Sequence, residues 1–125
     1  MEGADRLMRL MKGATEPKQQ RALKQAIVTT AGFVLKESKE LVPVDTTALK
    51  NSGQVENLKM SAIEVSIDIT YGGAASQYAW IVHEDMTANH PRGGQAKYLE
   101  IPVMAWRGKF VKSLIGRYAR YFKKE

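Results

Sequence analysis

Apolar residues recur at steps of three and four over two long stretches, and alternate strictly with polar ones over a short stretch between them. The first long stretch carries Leu23, Ile27, Thr30, Val34 and Leu41, flanked by Ala26, Ala31 and Leu35. That spacing builds one apolar face of an α-helix. Lys24, Lys36 and Glu40 fall on its other sides. The helix is predicted from about Glu16 to Lys39. Thr15 can cap it, and Pro17 lies in the first turn, where a missing N–H has no helical partner to lose. Val42-Pro43 ends it, because proline biases the residue before it toward extended geometry. Upstream, Leu7, Leu10 and Met11 make a short helical stripe that Gly13 weakens. Residues 1–15 are thus readable as a separate short helix or a flexible arm.

The alternating stretch is Ile63-Glu-Val-Ser-Ile-Asp-Ile-Thr70. Ile63, Val65, Ile67 and Ile69 face one way and Glu64, Ser66, Asp68 and Thr70 the other, the pattern of a strand with one buried and one wet face. Ser52 to Lys59 is a weaker strand candidate, preceded by a short turn through Ala48-Leu49-Lys50 that Asp45 or Thr46 can cap. Gly72-Gly73 breaks the clear strand. Gln77 to His83 fits two periods: Tyr78, Ile81 and Val82 suit a short helix, and Tyr78, Trp80 and Val82 suit a strand. The helix is preferred. Asp85 to Ala96, with Asn89, Pro91, Gly93 and Gly94, reads as a loop of roughly a dozen residues, well above the usual 4–6. Ile101-Pro102 then opens a last helix with proline at its first position. Its stripe is Val103, Trp106, Phe110, Leu114, Tyr118 and Tyr121, broadened by Val111, Ile115 and Phe122. The expected fold is α+β in a single domain over residues 1–125. A long N-terminal helix and a C-terminal helix pack on one face of a small antiparallel sheet.

Composition narrows the function classes. The chain has 125 residues and no cysteine, which excludes disulfides, thiol catalysis and zinc–thiolate sites. No apolar run approaches the ~20 residues of a membrane span, and the first residues lack a secretory signal's apolar core. The formal charge of +6 is compatible with acidic partners or nucleic acid, although many proteins are this basic with neither. Much of that charge lies on the last helix, which mixes Lys112, Arg117 and Arg120 with Trp106 and Tyr121. An ordinary core helix with a solvated basic side is the first reading of that mixture. Trp106, Tyr118, Tyr121 and Phe122 exceed what one narrow stripe needs, and such aromatics are also frequent anchors of protein interfaces.

Candidate chemistry centres on His83, Glu84, Asp85 and His90. Imidazole and carboxylate can hold a divalent ion, but the spacing matches no zinc signature and the histidines are not four apart on a helix. An ion-pairing segment beside a polar loop explains them as well. No serine sits in a nucleophile elbow, and Gly72-Gly73 lacks the lysine and hydroxyl of a phosphate loop. Neither catalysis, nor a metal, nor a cofactor is expected.

Three segments in order carry a resemblance. Leu41-Val-Pro-Val-Asp-Thr-Thr-Ala-Leu-Lys-Asn-Ser52 is similar to a "VPVDTGxLxxS" pattern. Tyr78-Ala-Trp-Ile-Val-His-Glu84 is similar to "YAxxVHE", and Lys97-Tyr-Leu-Glu-Ile-Pro102 to an "xFLxxP" helix opening. Following a long helix, they resemble a family of tailed-phage neck proteins, known as minor capsid, minor tail, tail-completion or head–tail joining proteins. The resemblance covers about Ala26 to Val111. It implies a non-enzymatic virion component at the head–tail junction, assembled in the host cytoplasm as a ring around the DNA passage, a hexamer matching the tail's symmetry. Its implied partners are other neck, connector and tail proteins, with DNA in the lumen and no membrane. Tail terminator and head-side stopper are neighbouring roles; a basic nucleic-acid-binding module is a more distant one. Carried over by position, Pro43, Asp45 and Thr46 shape the turn after the long helix. Tyr78, His83 and Glu84 fix the segment before the loop, and Tyr98, Leu99 and Pro102 set the last helix. Asp85, Met86, His90 and Arg92 then belong to a docking loop. Thr47 stands where the pattern has glycine, so the turn either does without positive φ or differs locally.

Overall fold

The computed structural model describes residues 4–43, 47–72, 76–83 and 97–124. In chain order the elements are α1 (Ala4–Gly13), α2 (Pro17–Leu41), α3 (Thr47–Asn51), β1 (Gln54–Met60), β2 (Glu64–Tyr71), β3 (Ser76–His83), α4 (Lys97–Trp106) and α5 (Phe110–Lys124). The three strands form an antiparallel sheet in the order β1-β2-β3. The fold is α+β, with N- and C-terminal helices packed against the sheet.

Helix α2 is the axis of the molecule. Its stripe is buried as the periodicity requires: Leu23, Ile27, Thr30 and Val34, with Ala22, Ala26 and Ala31, are sealed from solvent. Small residues let neighbours approach closely. Thr30 turns its hydroxyl back to donate to the Ala26 carbonyl at 2.7 Å, so its own polar group is paired within the core. The predicted end of the stripe does not hold, because Leu41 is 46% exposed. The predicted cap moves by one residue: Glu16, not Thr15, is the N-cap, and its N–H donates to the Gln19 carboxamide oxygen at 3.1 Å. Leu7, Met8 and Met11 of α1 are buried in the same core.

The sheet departs from expectation in three ways. Residues Gln77–His83 are strand, not helix, paired with β2 without interruption from Tyr71↔Ser76 to Glu64↔His83. A run of eight residues with aromatic and β-branched side chains satisfies two periods equally, and pairing to β2 decides between them. Ile63 precedes β2 and is 49% exposed rather than part of the core face. The polar face of β2 is not wet: Ser66, Asp68 and Thr70 are buried. Thr70 donates to Glu56 Oε1 at 2.7 Å, and Asn57 Nδ2 donates to Asp68 Oδ2 at 3.0 Å. Two buried polar groups of the central strand are thus paired by side chains from its neighbour.

Asn57 sits at φ 58, in the left-handed region, within a bulge where the register slips between Glu56 and Lys59. Asparagine tolerates that region better than most residues. Asn57→Ala is expected to cost about 1–2 kcal/mol, from backbone strain plus the lost bond to Asp68. Asn57→Gly should recover the backbone part, and urea denaturation midpoints of the two variants check this.

The single last helix becomes two. Helix α4 starts at Lys97, so Pro102 lies inside it rather than at its first position, and the chain turns over Arg107–Lys109 before α5. The apolar stripe runs on through the break. Leu99, Pro102, Val103, Trp106, Phe110, Val111, Leu114 and Ile115 are all buried, with Tyr118, Tyr121 and Phe122 half-buried. No helix of the described residues is long and apolar enough to cross a membrane.

Candidate functional site

Two of the three motif segments meet α2 and β2 around one polar knot. Pro102 has no N–H, so the Tyr98 carbonyl four residues earlier loses its helical donor. Ser38 of α2 supplies the replacement: its hydroxyl donates to the Tyr98 oxygen at 2.6 Å. Ser38 Oγ in turn accepts the Tyr71 hydroxyl of β2 at 2.9 Å. The Tyr71 ring meets the Tyr98 ring edge-on, centroids 5.0 Å apart. Three elements distant in sequence are therefore locked by two hydrogen bonds and one aromatic contact.

The end of the first motif, Ser52, and Gly53 just after it lie against the knot. A Cβ on Gly53 would lie 2.6 Å from Tyr71 Cε1 and 2.9 Å from Cζ, so only glycine lets the ring come this close to the turn. Ser52 donates to the Leu49 carbonyl at 2.6 Å and accepts the Gly72 N–H at 2.8 Å, clipping α3 to the end of β2. Thr47 opens α3. Asn57 is the one non-glycine residue at positive φ among those described, so the turn places no such demand on Thr47.

Burial pushes the Tyr71 hydroxyl above its usual pKa of 10.0, the bond to Ser38 acts against the rise, and the neighbouring Tyr98 adds to it. The fold therefore prefers the protonated phenol. Its contribution to stability is complete below pH 10.0 and is lost as pH rises through the higher folded value. Chemical denaturation from about pH 8 to about pH 11 should show a steeper loss in the native chain than in Tyr71→Phe.

Trp106 follows the stripe reading rather than the interface one: it is buried, donates from Nε1 to Glu37 Oε2 at 2.7 Å, and carries Lys109 over its ring at 4.5 Å. Arg117 lies over Phe33 at 4.6 Å, and Tyr121 packs at the core edge. Lys112 and Arg120 are exposed. With Lys123 they give α5 a cationic outer face, and no carboxylate occurs in the helix. Pro43 is exposed after α2, while Leu99 and Pro102 are buried. Tyr78 and His83 belong to β3, opposite Ile69 and Glu64. Asp45, Thr46, Glu84, Asp85, Met86, His90 and Arg92 lie outside the described residues, and so does the predicted loop. Among the described residues, no three of His, Cys, Asp or Glu gather where they could hold a metal ion.

Ser38, Gly53 and Tyr71 went unmarked by sequence reasoning. The available signal was Pro102 itself: a proline within a helix implies an orphaned carbonyl at Tyr98 and a donor elsewhere to meet it. What the knot can do chemically is hold. Its hydroxyls are paired with each other and with backbone. No family model, no curated protein and no solved structure matches this chain.

Proposed function

We propose that this chain is a structural protein of a tailed-phage virion, acting at the head–tail junction as a subunit of a ring, hexameric by the tail's symmetry, around the DNA passage. The observation that carries the reading is the order of the three motif segments behind a long helix. The roles of their residues support it. Ser52, Tyr98 and Pro102 join helices to sheet through the knot, which is framework chemistry rather than reaction chemistry. The reading is non-enzymatic, with no cofactor and no metal. Tail terminator and head-side stopper are the neighbouring positions in the same assembly.

The cationic outer face of α5 favours an acidic partner surface or the DNA itself. A freestanding nucleic-acid-binding module is the second reading, and the same face is its basis. Steep loss of DNA binding by the monomer with added salt, removed by reversing Lys112, Arg120 and Lys123, favours it. Decoration of intact particles with a labelled antibody tests the first reading. Label at the head–tail junction is the expected result. Label spread over the capsid, or none on the particle, overturns it.

A further inference from the structure

The two ends of α2 carry surfaces that complement each other. At its N-terminal end, the turn between α1 and α2 and the turn between β1 and β2 enclose a cleft of about 490 Å³. Met11, Ala14, Pro17 and Met60 give it an apolar lining, and Arg21 and Lys24 stand on its α2 wall. No carboxylate is found among the described lining residues. The walls are held: Gln20 donates to the Ala14 carbonyl at 3.1 Å, and Ser61 Oγ accepts the Glu64 N–H at 3.1 Å. A cleft of this size takes more than one side chain, and methionines adapt to what enters.

At the other end, Glu37 and Ser38 hold α4 against α2. From Lys24 to Glu37 the helix rises roughly 20 Å. The outward side of α4 presents Ile101 and Met104, one turn apart and 53% and 56% exposed, more than any other large apolar side chain described. Glu100 flanks them. Its partner Lys97, at 3.3 Å, is an exposed neighbour in the same helix, and such a pair is weak enough to exchange.

We infer that the Ile101–Met104 ridge of one copy seats in the Met11–Met60 cleft of the next, with Glu100 facing Arg21 and Lys24. The occupant is a second copy because the chain itself carries both halves: an apolar ridge with a carboxylate, and an apolar cleft with cations. The halves lie on different surfaces, so the contact is head-to-tail, and head-to-tail contacts propagate into rings or filaments rather than closing as two-fold dimers. The inference rests on the ring reading above and gives it a specific contact.

The test is a mixing experiment with two full-length variants whose substitutions are all on exposed residues. One is Ile101→Lys/Met104→Lys, which keeps the cleft; the other is Arg21→Glu/Lys24→Glu, which keeps the ridge. Circular dichroism establishes that each is folded, and Ile101→Ser/Met104→Ser replaces the first if it is not. By sedimentation velocity, the native chain should assemble beyond dimers at high concentration. Each variant alone should associate more than about tenfold more weakly. Their equimolar mixture should stop at a one-to-one dimer, since each brings one working surface. Native assembly retained in both variants, a mixture that stays monomeric or grows past the dimer, or a native chain that never associates overturns the contact. A contact that fails in solution leaves the neck reading to the particle experiments, which do not depend on which residues touch.

Discussion

Tyr71→Ala is expected to lower stability by about 3–5 kcal/mol, the range for removing a buried aromatic ring. The ring is sealed from solvent between α2, α4 and the turn before β1. Its loss opens a cavity at the point where those elements meet, and Ser38 loses the hydroxyl it accepts. Tyr71→Phe separates ring from hydroxyl. It keeps the packing and the Ser38–Tyr98 bond, so about 1 kcal/mol is expected. Guanidinium denaturation of the two variants distinguishes a knot held mainly by ring packing from one held mainly by hydrogen bonding. Equal losses would mean that the ring is not packed as described.

Gly53→Ala should cost about 1–3 kcal/mol although it adds a single methyl group. The methyl would meet ring atoms at 2.6 and 2.9 Å, well inside van der Waals contact. The ring cannot swing aside freely, because Ser38 holds its hydroxyl and the Tyr98 ring packs against it. The third close atom, Lys39 Cε at 3.0 Å, belongs to a flexible side chain and can move. A double-mutant cycle isolates the cause. In the Tyr71→Ala background the added methyl has space, so the pair should be less destabilised than the sum of the singles, with a coupling of about 0.5–3 kcal/mol. Additivity within experimental error would place the strain of Gly53→Ala elsewhere.

These residues mark the boundary of what is legible in the chain. Helix α2 and strand β2 could be read as elements because each has one clear period. β3 could not, since Tyr78, Trp80, Ile81 and Val82 fit either period and pairing with β2 decides. The division of the last helix was hidden because the apolar stripe from Val103 to Leu114 keeps its spacing across Arg107-Gly108-Lys109. Alternation places Ser66, Asp68 and Thr70 in solvent, because it carries no information about Glu56 and Asn57 reaching over from β1. The knot unites positions 38, 53, 71 and 98, and no local pattern links them. Only the proline at 102 announces that a partner is needed.

The same boundary runs through function. The three motif segments are legible as strings, and two of them have a structural reason that no string carries: Ser52 clips Gly72, and Pro102 leaves the Tyr98 carbonyl to Ser38. The aromatics of the last helix looked like interface anchors; Trp106 is bound inward to Glu37 instead, and the exposed apolar residues are Ile101 and Met104.

The proposal that the chain joins head to tail is tested most directly by removing it. In a phage that encodes it, an amber mutation at its reading frame should yield DNA-filled heads and finished tails that are separate by electron microscopy, and supply of the intact chain in trans should restore joined, infectious particles. Joined particles of normal titre made without the chain would contradict the account.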